Sequence, residues 1–216
     1  RRQRQMCIRD RIRPAMLEFM DSVSINAVED MLKMGLDRQA GALLVAQSDA
    51  PGPAGVAEVE LIEKAFSDNG ATEVFATSDP AEGEAFTAAR RAAIPAVGRL
   101  GSLLLEDVGV PLPALPDLID GVAAIATENE VMISVIAHAG DGNTHPLIVF
   151  DPSDVDESRR AQAAFGQVMD LAIGLGGTIT GEHGVGRLKK AWLPDQLGAV
   201  VMELTATIKA PLDPQG

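Results

Sequence analysis

Apolar positions recur along this chain at two spacings, and the switches between them outline its elements. From Ser24 to Met34 they fall at Ile25, Val28, Met31 and Leu32, one stripe of a short helix with Gly35 as its stop. Ala42 to Ala46 is an unbroken apolar run, read as a buried strand. After the turn at Pro51-Gly52-Pro53, Val59, Ile62 and Phe66 mark a helix over Val56 to Phe66 that Asn69-Gly70 ends. Glu73 to Thr77 reads as a short strand, and Asp79-Pro80 opens a helix from Ala81 to about Leu100. Leu103 to Val110 is a further strand, cut off by Pro111 and Pro113. Leu115 to Asn129 is helical.

Two apolar runs follow, Val131 to Ala137 and Leu147 to Phe150, separated by glycine-rich turn chemistry. Asp154 with Glu157 three residues on has the pattern of a helix start, and Ala161, Ala164, Phe165, Val168 and Ala172 keep core spacing behind it. Six glycines between Gly174 and Gly186 exclude a regular element there and allow the backbone to approach a ligand closely. A last helix is expected from about Pro194 to Lys209. Alternating strands and helices with a hairpin at 131–150 predict an α+β fold: a largely antiparallel sheet covered by helices on one face.

The candidate chemistry sits in the hairpin. The chain has three histidines. His138 and His145 bracket Ala139-Gly140-Asp141-Gly142-Asn143-Thr144, and His183 follows Glu182 in the glycine-rich segment. With Asp141-Gly142 as a two-residue type I′ loop, Gly140 pairs with Asn143, Ala139 with Thr144, and His138 with His145. Directly opposed side chains share a face, roughly 4.5–5.5 Å apart at Cβ, close enough for two imidazoles to meet one metal ion. A carboxylate as third ligand would make a His₂Glu set with an open position, a catalytic zinc arrangement. A glycine loop lets Glu182 and His183 turn toward one centre, one as ligand and the other free to move a proton. Asp141 is explained by the turn, whereas Asn143 fits the turn and the site equally. Arg90 and Arg91 are ordinary surface-helix residues unless one turns inward to clamp a carboxylate. Arg187, Lys189 and Lys190 read as a solvated helix start. On spacing alone the same ligand set would also serve a metal-dependent hydrolase, and the chain by itself could be an inactive binding module.

Composition trims the choices. A net charge of −13 with no basic, aromatic-interleaved stripe argues against a nucleic-acid surface. No apolar run reaches a membrane span, and the single Cys7 permits no internal disulfide, which suits a reducing, cytoplasmic setting. Residues 1–12 lack core periodicity and carry most of the six arginines of Arg1 to Arg13. They are expected to be an extraneous segment, and Cys7 within them receives no role.

The segments His138 to His145 and Gly181 to Lys190 resemble the C-terminal domain of FAD-linked oxidases of the vanillyl-alcohol oxidase superfamily. The nearest branch is that of glycolate oxidase FAD subunits, D-lactate dehydrogenases and D-2-hydroxyglutarate dehydrogenases. Arg13 to Asp21, Phe86 to Arg91 and Glu106 to Pro111 agree, so the resemblance spans residues 13–216. It implies ferredoxin-like units, an N-terminal FAD-binding domain and an extreme C-terminus outside this sequence, and FAD as the hydride acceptor for a small 2-hydroxy acid. It further implies a divalent ion (Zn²⁺, Mn²⁺ or Fe²⁺) on His138, His145 and Glu182, His183 as base, and Arg90 with Asn143 on the substrate. Partner subunits or a separate electron acceptor, and peripheral attachment at the inner membrane, are compatible with it. Phe86 stands where the family usually has Trp. The Lys that some members carry has no counterpart near Leu105-Glu106, which favours glycolate or D-lactate over D-2-hydroxyglutarate.

Overall fold

Every pairing in the sheet is antiparallel, in the strand order β2-β1-β5-β6-β3 with the short β4 also on β6. The computed structural model describes residues 14–215; the expectation for residues 1–12 lies outside them. The strands are β1 (Met16–Asp21), β2 (Ala42–Gln47), β3 (Ser102–Leu105), β4 (Val108–Gly109), β5 (Met132–His138) and β6 (Asn143–Phe150). The helices are α1 (Ser22–Leu32), α2 (Pro53–Asp68), α3 (Pro80–Arg91), α4 (Ala93–Val97), α5 (Leu115–Glu128), α6 (Val155–Gly174) and α7 (Leu193–Leu212). The antiparallel α+β class is the expected one.

Helices cover both faces of the sheet, not one. Ile133, Val135 and Ile148 point into a core shared with α5 and α6, while Ile136, Leu147 and Val149 point into a second core with α1 and α4. The reason lies in the run from Val131 to Ala137. A strand with apolar residues at successive positions is one buried on both sides.

Some elements differ from expectation for identifiable reasons. β1 was not predicted, because its acidic Glu18 and Asp21 blur the apolar pattern; it is a central strand, paired with β2 and β5. Residues 73–77 add no strand, so β2 keeps the sheet edge. The helix expected to reach Leu100 breaks at Ala92, since Pro95 has no N–H to return to the carbonyl of Arg91. The strand expected over Leu103 to Val110 is interrupted at Glu106-Asp107, although Glu106 N still donates to Pro146 O at 2.9 Å.

Asp21 joins β1 to its surroundings. Its carboxylate caps α1 through Ser24 N (2.8 Å) and also accepts from Ser134 Oγ and Val135 N on β5. At the start of α6, Asp154 accepts from the N–H groups of Asp156 and Glu157. Glu157 reaches back to Asp151 N instead of to the cap residue.

Candidate metal and substrate site

The hairpin register is shifted by two residues from expectation. His138 pairs with Asn143, Ala137 with Thr144 and Ile136 with His145, which leaves a four-residue loop, Ala139 to Gly142. The cause is β1: Gly140 N donates to Leu17 O at 3.0 Å, drawing that residue out of the hairpin ladder. The His138 carbonyl then accepts from both Asp141 N and Gly142 N, and Asp141 Oδ1 accepts from Asn143 N. Gly142 has φ +93°, and a Cβ there would lie 2.2 Å from Val110 O, so only glycine fits.

A slip of two preserves side-chain parity. His138 and His145 therefore still share a face, now as diagonal neighbours with ring centroids 5.3 Å apart and planes at 89°. The same face carries Glu18, which lies across from His138 on β1. Carrying the β3 register through to β4 sets Asp107 across from His145. Strands β1, β5 and β6 and the link between β3 and β4 thus deliver two imidazoles and two carboxylates to one end of the sheet.

The glycine-rich segment completes the group. Gly109 and Thr178 exchange backbone hydrogen bonds, which anchors the segment to β4. Beyond it the buried Asp107 carboxylate accepts from Thr180 Oγ1 (2.9 Å), Gly181 N (2.9 Å), Glu182 N (3.0 Å) and His183 N (2.8 Å). Burial pushes the Asp107 carboxyl up, but those donors and the Lys189 charge outweigh it and hold it below the usual range. Gly181 passes so close to the Asn143 amide that a Cβ would sit 2.1 Å from its Oδ1.

Glu182 Oε1 then lies 3.2 Å from His145 Nε2 and 3.4 Å from His138 Nε2, the three ligand atoms within 4.8 Å of one another. Donors about 2.0–2.2 Å from a shared divalent ion are separated by about this much, so the residues fit a metal. A second grouping, Asp107 with His145 and His183, is equally tight. It is the poorer ligand set, because the Asp107 carboxylate already accepts from four donors at Oδ2, with Glu182 N shared onto Oδ1. Burial, opposed by the charge of Asp107, lowers the His145 pKa and keeps its imidazole neutral, the form that binds metal. His183 stacks on His145 with centroids 5.0 Å apart, is about half exposed, and has Nε2 3.8 Å from Glu182 Oε1.

Of the two arginines, Arg90 turns inward and Arg91 stays on the surface with Glu84. Arg90 Nε lies 2.9 Å from Glu18 Oε2, and its side chain is 12% exposed. Asn143 Oδ1 is buried with no hydrogen-bond partner among the described residues. A cleft of about 500 Å³ opens beside Glu182, bordered by Asn143, Gly181, Thr180 and Pro111.

Sequence reasoning missed four residues around this site. Glu18, Glu106 and Asp107 had been quoted only for their resemblance, and Lys189 was expected to be solvated. Lys189 is buried, its ammonium donating to Asp107 O at 2.7 Å and lying 4.0 Å from Glu106 Oε2. Two adjacent carboxylates inside an apolar strand pattern were the available signal, because such groups are buried only when paired.

Glu106 is fully buried with neither oxygen hydrogen-bonded. Burial pushes its pKa up to about 8, against the pull of Lys189. A carboxyl raised when folded stabilises most below its unfolded pKa, about 4.5, and that contribution is lost as pH rises to about 8. The slope limit is about 1.4 kcal/mol per pH unit. Urea melts of Glu106→Gln and the parent protein between those limits are therefore expected to diverge, the variant gaining relative stability as pH rises. A difference independent of pH would show that Glu106 is ionised in the fold.

The family of FAD linked oxidases, C-terminal domain, matches residues 4–216. The chain belongs to that family. It is 36% identical over 206 residues to the glycolate oxidase subunit GlcD of Bacillus subtilis, covering 95% of this chain and 44% of that protein. A probable mitochondrial D-lactate dehydrogenase of Danio rerio is 31% identical, covering 93% of this chain and 41% of the relative. The chain thus spans less than half the length of these relatives. The fold is also that of an alkyldihydroxyacetonephosphate synthase, with a TM-score of 0.57 at 12% identity over 98% of this chain and 40% of that one. Among the described residues, no helix is long and apolar enough to cross a membrane.

Proposed function

We propose that this FAD-linked oxidase domain forms the substrate- and metal-binding half of a flavin-dependent dehydrogenase. Its substrate is a small D-2-hydroxy acid of glycolate or D-lactate type, oxidised to the 2-oxo acid. The observation that carries this reading is the convergence of His138 Nε2, His145 Nε2 and Glu182 Oε1, with a fourth titratable group, His183, beside them and not needed as a ligand. Names of relatives supply the substrate class: glycolate oxidase subunits and D-lactate dehydrogenases.

A divalent ion, Zn²⁺, Mn²⁺ or Fe²⁺, held by His138, His145 and Glu182 would supply Lewis acidity toward the hydroxyl and carboxylate of the substrate, and FAD, held mainly by an N-terminal domain as in the family's two-part architecture, would supply the hydride acceptor. The residues of this chain do the rest. His138, His145 and Glu182 hold the ion, and the low pKa of His145 keeps one ligand deprotonated near neutrality. His183 accepts the hydroxyl proton, its ring steadied by stacking on His145. Arg90 binds the substrate carboxylate as a planar fork. Asn143 borders the same cleft, where its amide can hydrogen-bond the substrate, the N–H₂ donating to a substrate oxygen. The word subunit in the names of the glycolate oxidase relatives supports partner subunits.

Anaerobic mixing of the whole flavoprotein with glycolate or D-lactate tests this. His183→Ala is expected to slow flavin bleaching by about 10²–10⁴-fold while bound metal stays the same. Loss of metal in that variant would exchange the roles of Glu182 and His183. An unchanged bleaching rate would remove His183 as the base.

A further inference from the structure

Glu18 touches two parts of the site at once. It projects from the central strand β1, directly across from His138, and only 8% of it is exposed. One oxygen, Oε1, is 2.7 Å from His138 Nδ1; the other, Oε2, is 2.9 Å from Arg90 Nε. A carboxylate only accepts. The His138 nitrogen facing it must therefore carry the proton, which leaves the lone pair on Nε2, the atom 3.4 Å from Glu182 Oε1. The contact with Arg90 is ionic but not aligned as a hydrogen bond. Turning the guanidinium toward a second carboxylate would exchange one ion pair for another.

We propose that Glu18 is a positioning residue that links the metal centre to the substrate-anion arginine. It fixes His138 in its metal-binding tautomer with one oxygen and parks Arg90 at the border of the site with the other. When a 2-hydroxy acid draws the Arg90 guanidinium to itself, Glu18 loses a positive neighbour and accepts more strongly from His138, which raises that ligand's basicity. Metal and anion then bind with positive linkage, and the coupling is reciprocal. This rests on the metal and substrate assignments made above.

Titrating Mn²⁺ into the purified protein, with and without saturating glycolate, reads the linkage directly. The parent protein is expected to bind Mn²⁺ more tightly when glycolate is present. Glu18→Gln is expected to lose about 10–100-fold in Mn²⁺ affinity and the part of the glycolate effect that direct contact between ion and substrate does not supply, with Glu18→Asp recovering part of both. Equal affinity and equal linkage in Glu18→Gln would overturn the role of Glu18 alone, whereas failure of the parent protein to bind Mn²⁺ would overturn the metal assignment itself. Nitrogen NMR of His138 in the metal-free parent protein needs no variant. At about pH 8, where an ordinary imidazole is neutral, it should show the proton on Nδ1; a proton on Nε2 would also overturn the proposal.

Discussion

Replacing His145 by alanine is expected to strip the divalent ion from the protein, lowering metal affinity by more than about 100-fold. Changes to groups that merely support a metal ligand cost about 10–100-fold, and loss of a ligand should exceed that. His145 is the most constrained of the three ligands: it is 4% exposed, whereas Glu182 and His138 are partly open to solvent. Water cannot replace a buried imidazole in the same position without occupying a pocket built for a ring. Dialysed protein measured for bound metal separates the ligand set from its neighbour, because His183→Ala should retain the ion. Full metal retention in His145→Ala would exclude both candidate groupings, since His145 belongs to each. A melting curve alongside distinguishes loss of the ligand from loss of the fold.

The separation between what could be read from the chain and what could not follows sequence distance. Glycine-bounded histidines and the His183-bearing loop are local signals, and the structure brings all of them to one end of the sheet. The core spacing of α6 was equally plain, since Ala161, Ala164, Phe165, Val168 and Ala172 are all buried. Glu18, Asp107 and Lys189 act across separations of 120, 76 and 82 residues, through strand register that no local pattern encodes. The hairpin shows the same limit on a small scale. Asp141-Gly142 is good turn chemistry, yet a single hydrogen bond from Gly140 to Leu17 decides the loop length. Parity alone survived that shift, which is why the face of the two histidines was predictable and their exact opposition was not. The second helical layer was visible in principle, as the continuous apolar run of β5.

Asp107→Ala is expected to lower stability by about 2–4 kcal/mol and to reduce metal affinity as well. The carboxylate is 1% exposed and gathers four donors from consecutive residues, Thr180 to His183. Removing it leaves several buried or half-buried N–H groups unsatisfied, at about 1–3 kcal/mol each where water cannot reach them. Gly181, Glu182 and His183 are exposed enough for water to recover part of that, which sets the estimate below a simple sum. Function should suffer more than folding does. Without Asp107 the backbone that aims Glu182 at the two imidazoles and keeps His183 stacked on His145 loses the acceptor that gathers it, with the Gly109–Thr178 pair and the Gly184 N to Thr180 Oγ1 bond remaining nearby. Asp107→Asn is the milder variant, because its amide oxygen can take the Oδ2 position where all four donors converge, leaving its nitrogen to face Glu182 N alone and removing the negative charge. Acid should mimic the substitution. A carboxyl held below its usual range contributes stability that is present above its unfolded pKa, about 3.9, and is lost as pH falls through the folded value. Urea melts and Mn²⁺ titrations of both variants check the two effects separately. A destabilised Asp107→Asn that still binds Mn²⁺ with parental affinity would show that the loop keeps its aim without the carboxylate.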